Sequence, residues 1–136
     1  MFGHYLMFNG DCAEALKAYA AAWGAEISEC RTYGDIPNPG FPVPDEQRNR
    51  VLHARLTWQG GELLCADAGR TVQGGSNMYV SITLPDESAV RHAWGLLAED
   101  ATVYMELAPT FFATAHGSLQ DRFGVNWMFT VPSETV

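Results

Sequence analysis

Apolar positions along the chain switch from alternation to helical spacing and back, twice, and that repeat predicts the elements. Tyr5 to Asn9 reads as a strand. Asp11 then stands where a helix N-cap belongs, with Glu14 at the third helical position, so a capping box is expected. Cys12, Ala15, Leu16, Tyr19 and Trp23 recur at helical spacing as one buried stripe, which Gly24 ends. Ala25 to Tyr33 makes a second strand. The pattern then lapses from Gly34 to Asn49, where four of the seven prolines fall, and the segment is too long for a simple connector. Such a loop serves as a lid, an arm that meets a partner, or a mobile segment. From Arg50 to Trp58 alternation returns, with Leu52, Ala54, Leu56 and Trp58 opposed to His53, Arg55 and Thr57. Gly60-Gly61 turns the chain into Glu62 to Asp67 to complete a hairpin.

The same order follows a second time. After the Gly74-Gly75-Ser76 linker, Met78 to Leu84 alternates, Pro85-Asp86 starts a helix, and Val90, Ala93, Trp94 and Leu97 form its apolar stripe. Three strands are expected near residues 101–107, 111–119 and 125–131. The last hairpin is the most fully specified. Asp121 can fold its carboxylate onto nearby backbone amides and Gly124 can take a positive φ, so Asp121 to Gly124 reads as a tight turn. Beyond it Val125, Trp127, Phe129 and Val131 point one way, toward a helix-covered core, while Asn126, Met128 and Thr130 point toward a more polar face.

The economical description is an α+β fold of two paired βαβββ modules. We expect one domain over residues 1–136, with the first module at about 3–68, a linker at 69–76 and the second module at about 77–131. Neither half carries enough apolar surface to stand alone, so the modules should pair their sheets and leave a concave cleft between the faces that no helix covers.

Composition narrows the partners. A net charge of −8 with one lysine, Lys17, argues against nucleic acid and against anionic membranes, because neither phosphate neutralisation nor a polybasic patch is available. The N-terminus lacks a signal-peptide pattern and no apolar run is long enough to span a bilayer, so a cytoplasmic location is expected. Cys12, Cys30 and Cys65 are odd in number and widely spaced, which fits reduced thiols buried as small hydrophobes.

Several segments together resemble a known family: Tyr5-Leu6-Met7-Phe8-Asn9-Gly10 leading into Ala15 to Tyr19, His53-Ala54-Arg55-Leu56 before Gly60-Gly61, and Gly117 to Trp127 with Asp121-Arg122-Phe123-Gly124-Val125. The chain is similar, from about residue 4 to 131, to PhnB-like members of the vicinal oxygen chelate superfamily, which also holds glyoxalase I, bleomycin-resistance proteins and extradiol dioxygenases. Members of this branch are often labelled 3-demethylubiquinone methyltransferases. This chain has neither a glycine-rich strand-to-helix nucleotide loop nor a parallel α/β pattern to hold S-adenosylmethionine.

The resemblance implies divalent-metal chemistry on His, Gln or Glu side chains of the two inner sheet faces, and the positions can be compared. The second module's usual ligand falls on Tyr79 and the terminal strand's glutamate on Met128; in the first module the count lands on His4, or on Tyr5 after a one-residue slip. Leu64 and Cys65 stand near the remaining position, with Asp67 beyond. Too few ligands remain, so no metal and no cofactor are expected. Where the family usually has Trp-Gly-x-Arg before its closing turn, this chain has Phe112-Ala113-Thr114-Ala115, without the arginine, and Arg122 replaces a proline.

Two function classes stay open. One is a binder of a small apolar or aromatic molecule, with Tyr5, Met7, Tyr79, Tyr104, Phe112, Asn126 and Met128 lining its site. The other is a metal-dependent lyase, isomerase or dioxygenase of the glyoxalase type. His53, Arg55 and Thr57 share a strand face and could meet Asp67 across the hairpin, orienting the imidazole as a base, although hydrogen-bonded structure is the better explanation of such a histidine. His4 and His116 are lone residues at strand ends, His92 sits on the polar side of the second helix, and no catalytic residue can be named. A homodimer is expected, because sheet edges, Phe41, Trp58 and Phe111 would otherwise be exposed and the Gly34 to Asn49 arm can reach a neighbour.

Overall fold

The computed structural model describes residues 1–133, so the end of the domain expected over residues 1–136 lies outside the described residues. The chain divides into two compact units, Met1–Val72 and Gln73–Val136, and the division falls inside the expected linker. In the first unit β1 (Tyr5–Phe8) leads to α1 (Cys12–Trp23), then β2 (Glu26–Thr32), β3 (Val51–Trp58) and β4 (Gly61–Asp67). The second unit repeats the order with β5 (Val80–Thr83), α2 (Glu87–Leu97), β6 (Thr102–Ala108), β7 (Ala113–Gln120) and β8 (Asn126–Pro132).

Each unit is one four-stranded sheet with one helix. The strand orders, β1-β4-β3-β2 and β5-β8-β7-β6, are the same permutation. In both, the strand before the helix pairs in parallel with the last strand of its unit, and every other pairing is antiparallel. A helix must cross over between parallel neighbours, and each helix therefore covers one face of its own sheet. α1 packs Cys12, Ala15, Leu16 and Tyr19 over Phe8, Ala54, Leu56 and Cys65, all buried. α2 packs Val90, Ala93 and Leu97 beside Leu119, Trp127 and Phe129, and the Trp94 ring meets Phe129 edge-on at 5.6 Å. Gly117 opens the space for Trp94, since a Cβ there would lie 2.9 Å from its ring. Burial on this scale, at about 25 cal/mol per Å² of apolar surface, holds each helix to its sheet.

The two helix starts differ. Asp86 is extended, with φ −156° and ψ 174°, and its Oδ1 accepts from the Ala89 amide at 2.8 Å as an N-cap should. Asp11 precedes α1, but at φ −109° and ψ 18° its side chain makes no cap bond, so the expected capping box is absent. It accepts instead from the Asn9 amide at 3.3 Å. The open amides are taken by Asp67 from the end of β4, whose Oδ1 accepts from Gly10 at 2.8 Å and from Cys12 at 3.0 Å. Its Oδ2 accepts from Val51 at 2.8 Å, which ties the start of β3 to the same carboxylate.

Smaller departures share a cause in local geometry. The β3–β4 turn is formed by Gln59 and Gly60, both left-handed at φ 48° and 79°, with Trp58 paired to Gly61, one residue earlier than glycine content suggested. Ala22 replaces Trp23 in the fully buried stripe of α1, and Leu52 and Trp58 are only half-buried. Cys12 and Cys65 are buried, but Cys30 is exposed. The long 34–49 segment holds two short 3-10 turns, Tyr33–Asp35 and Asp45–Gln47, and is pinched at its base by Gly34 donating to the Arg48 carbonyl at 2.8 Å. Among the described residues no helix is long and apolar enough to cross a membrane.

Candidate functional site

In the first unit the helix-free face of the sheet carries Tyr5 and Met7 from β1, which remain 48% and 44% exposed while Phe8 is wholly buried beneath α1. The first strand therefore presents Tyr5, not His4, which precedes the strand, on this face. His53 on β3 comes beside it: the Tyr5 hydroxyl and His53 Nδ1 are 3.0 Å apart. On the imidazole's other side Nε2 lies 4.0 Å from Glu29 Oε2, and Glu29 in turn pairs with Arg31 at 3.2 Å. β2 and β3 place these groups together through their register, Glu29 opposite Arg55 and Arg31 opposite His53. Arg55 reaches Glu62 at 3.5 Å, and its Nε is shielded from solvent without a hydrogen bond among the described residues. Burial, first, and then the negative charge that Cys65, Cys12 and Tyr33 would carry if ionised, push the Tyr5 phenol above its usual 10.0.

Asp67 is not part of this face. It follows Ala66 on β4 with its side chain turned beneath α1, 1% exposed, and all its reach is spent on the three backbone amides. The carboxylate near His53 is Glu29, which sequence spacing could not suggest because the pairing depends on a β-bulge between Ile27 and Glu29.

The helix-free face of the second sheet is more aromatic. Tyr79 and Tyr104 stand edge-on at 6.0 Å, and the Tyr104 hydroxyl donates to Asn126 Oδ1 at 3.1 Å. Asn126 donates both amide hydrogens, to the carbonyls of Gly75 at 2.7 Å and Met78 at 2.9 Å, so it clamps the incoming linker and keeps no donor for a ligand. Half-buried Met128 lies between Ser81 and Ser118 in the sheet. Phe112 meets His116 edge-on at 5.0 Å, and His116 Nδ1 lies 3.0 Å from Thr130 Oγ1. His116 is thus no lone histidine; its cross-strand partner was hidden by a register that only the finished sheet reveals.

Tyr5, Tyr79 and Met128, the positions on which the resemblance placed metal ligands, carry phenol and thioether side chains that do not suit a hard or borderline cation. Among the described residues no three His, Cys, Asp or Glu side chains gather into a group able to hold a metal ion.

Comparison with known proteins places this arrangement. The 3-demethylubiquinone-9 3-methyltransferase family model matches residues 2–130. The crystal structure of PA1353 from Pseudomonas aeruginosa is 30% identical, with a TM-score of 0.84 and 97% of each chain covered. A PhnB protein from Bacillus cereus, described as a 3-demethylubiquinone-9 3-methyltransferase, is 27% identical with a TM-score of 0.76, covering 96% of this chain and 98% of its own. The fold extends further, to the fosfomycin resistance protein FosX of Listeria monocytogenes, 10% identical with a TM-score of 0.65 over 99% of this chain and 93% of that one.

Proposed function

The chain belongs to the PhnB-like family described as 3-demethylubiquinone-9 3-methyltransferase, with the two-module fold of the vicinal oxygen chelate superfamily, and from that premise we propose that it is a metal-free binder of a flat apolar or aromatic small molecule. One observation carries the reading: on a sheet face that no helix of its own unit covers, Tyr79, Tyr104 and Phe112 stay 37%, 46% and 39% exposed. Tyr79 and Tyr104, whose rings meet edge-on at 6.0 Å, leave an open aromatic pair that favours a planar partner, which gains burial and edge or face contacts together, while Phe112 offers a separate ring beside His116. The first sheet's own open face offers similar chemistry in Tyr5 and Met7, and Met128 gives the second face an adaptable thioether.

On the first sheet's own face His53 can hydrogen-bond a polar group of a molecule bound there, because the Tyr5 hydroxyl beside it can donate or accept as the imidazole tautomer requires. Asp67 and Asn126 support the site from within the fold and are not assigned to the ligand. Methyl transfer forms no part of the reading, since neither the Asn9-Gly10-Asp11 turn nor the sheets, with one parallel pair each, make a Rossmann-type nucleotide site. The protein acts, on this reading, as a cytoplasmic homodimer.

Titration with the fluorescent dye 1-anilinonaphthalene-8-sulfonate, followed by displacement with a panel of planar aromatic compounds, tests the proposal. Tyr79→Ala and Tyr104→Ala should each weaken binding about tenfold, the loss of roughly 1.4 kcal/mol of ring contact, at nearly unchanged melting temperature. Binding unaffected by both changes would reject the assigned face. One equivalent of a divalent metal retained through dialysis would reject the metal-free part.

A further inference from the structure

Away from both sheet faces, the first unit contains a pocket of about 270 Å³ lined by Asn9, Gln47, Arg50, Gly69, Arg70 and Thr71. We propose that this pocket is a binding site for a small molecule ending in a phosphate-like oxyanion, independent of the aromatic faces.

The chain has eight Lys and Arg against sixteen Asp and Glu, so positive groups should find partners easily. Arg31, Arg55 and Arg91 do, with Glu29, Glu62 and Glu87, and Arg122 stacks over the Phe123 ring at 4.4 Å. Among the described residues Lys17, Arg48, Arg50 and Arg70 form no ion pair, and of these Arg50 and Arg70 come together in the lining of one pocket. The acidic groups close in sequence do not change this: Asp67 is spent on backbone amides, Asp11 on Asn9, and Asp45 and Glu46 pair with neither arginine. Two uncompensated guanidinium groups facing a common space repel one another, and an oxyanion that accepts from both relieves the repulsion through paired charge-assisted hydrogen bonds.

The walls are held in place from several directions. The Arg50 guanidinium lies flat against Gly10, where a Cβ would come within 3.3 Å of Cζ. The Arg50 backbone is fixed on both sides, accepting from Tyr33 at 3.0 Å and donating to Gln47 at 3.1 Å. Asn9 is tied to the 69–72 segment, its side chain donating to the Val72 carbonyl at 2.8 Å and accepting from the Val72 amide at 2.7 Å. Gln47 and Thr71 add neutral polar side chains between the arginines. The volume exceeds what a bare tetrahedral anion fills and sits near the lower end of small-molecule sites, which suits a phosphorylated compound of a few carbons or one ring.

The test is calorimetric titration of the whole protein with inorganic phosphate and with phenyl phosphate, each at matched ionic strength set with potassium chloride. Phenyl phosphate should bind more tightly than inorganic phosphate, and Arg70→Gln, at an exposed position, should weaken both at least tenfold. Arg50→Gln should do the same, with Arg50→Lys restoring part of the loss if the fold is intact by circular dichroism. Arg91→Gln, on α2, should leave binding unchanged. Binding that survives Arg70→Gln, or that falls equally in Arg91→Gln, would overturn the site. Because these variants lie off the aromatic faces, binding of the uncharged dye Nile red, which has no oxyanion for this pocket, should persist in them and fall in Tyr79→Ala and Tyr104→Ala, so failure of this site and failure of the proposed function are read separately.

Discussion

The backbone amide of Cys12 donates to Asp67 Oδ1 at 3.0 Å, so the first turn of α1 is capped by a residue that follows it by 55 positions. The same carboxylate holds the amides of Gly10 and Val51, joining the β1–α1 turn, β3 and β4 at one buried point. Removing it leaves three amides without their acceptor. Asp67→Ala should therefore destabilise the protein by about 3 kcal/mol or more, whereas Asp11→Ala, at the apparent cap position, should cost under about 1 kcal/mol. Urea melts of the pair decide it, and similar midpoints for the two variants would contradict the assignment.

The closing hairpin is a second such junction, but a local one. Asp121 accepts from the Phe123 amide at 2.9 Å, the Val125 amide at 3.0 Å and the Trp127 indole at 2.8 Å, while Gly124 sits at φ 92°. Trp127→Phe keeps most of the ring volume and removes the indole donor from a buried carboxylate, for an expected cost of about 2 kcal/mol. Gly124→Ala forces a side chain into the left-handed region, at about 1 to 2 kcal/mol. The two changes share a turn, so the double variant should lose less than their sum; additive losses would argue against coupling through Asp121.

These two aspartates mark what the sequence could and could not reveal. Gly124, Gly24, Asp86 and the backbone bonds of Asp121 act within four residues, and these roles were readable from residue type and spacing, whereas the bond from the Trp127 indole to Asp121 was not. The βαβββ repeat was readable for the same reason, because alternation and helical spacing are local periods. Asp67 and Glu29 act across strands, and their partners depend on a parallel pairing of β1 with β4 and on a bulge in β2. Asp67 was expected beside His53, yet strand alternation from Ala66 turns it to the other side of the sheet. On β3 alternation correctly separated His53 from Ala54 and Leu56, but it could not foresee that Leu52 is only half-buried. On the second sheet the exposed Tyr79, Tyr104 and Phe112 were legible as non-core positions, while the linker-clamping duty of Asn126 was not.

The placement of His53 and Leu56 on opposite faces gives a direct comparison. Leu56 is 3% exposed beneath α1, so Leu56→Ala should cost roughly 2 to 5 kcal/mol as a buried truncation. Leu52→Ala should cost visibly less. His53→Ala removes a half-exposed ring and its contact with the Tyr5 hydroxyl, and should lower stability by no more than about 1 kcal/mol while altering ligand binding. A His53→Ala loss as large as that of Leu56→Ala would place the histidine in the core.

Stability near the start of the long loop should depend on acid. Asp35 Oδ2 accepts from the Thr32 amide at 2.9 Å, and this hydrogen bond, first, holds the Asp35 carboxyl below its usual 3.8. A depressed carboxyl stabilises the fold above its unfolded value and loses that contribution as pH falls through the folded one. The difference in melting temperature between the native protein and Asp35→Asn should therefore be full near neutrality and shrink below 3.8. A gap that stayed constant into strong acid would show that ionisation of Asp35 plays no part.

The same loop bears on assembly. Prolines at 37, 39, 42 and 44 stiffen it, its base is closed by the Tyr33–Arg50 and Gly34–Arg48 hydrogen bonds, and Phe41 leans edge-on against Tyr33 at 6.1 Å. Folding back onto its own chain is thus part of its role, yet Phe41 stays 49% exposed, and β2 and β6 end their sheets as edges. A stiff arm loses little entropy on docking, and a half-open aromatic at its tip gains burial by meeting a second copy. Light scattering over a concentration series should give twice the 14.9 kDa chain mass at roughly tens of micromolar, since association follows mass action. Deleting residues 36–44 should shift the protein toward the monomer without lowering its melting temperature at a dilution where both are monomeric. A native mass of 14.9 kDa throughout would refute the dimer, and a dimer indifferent to the deletion would move the interface to the sheet edges.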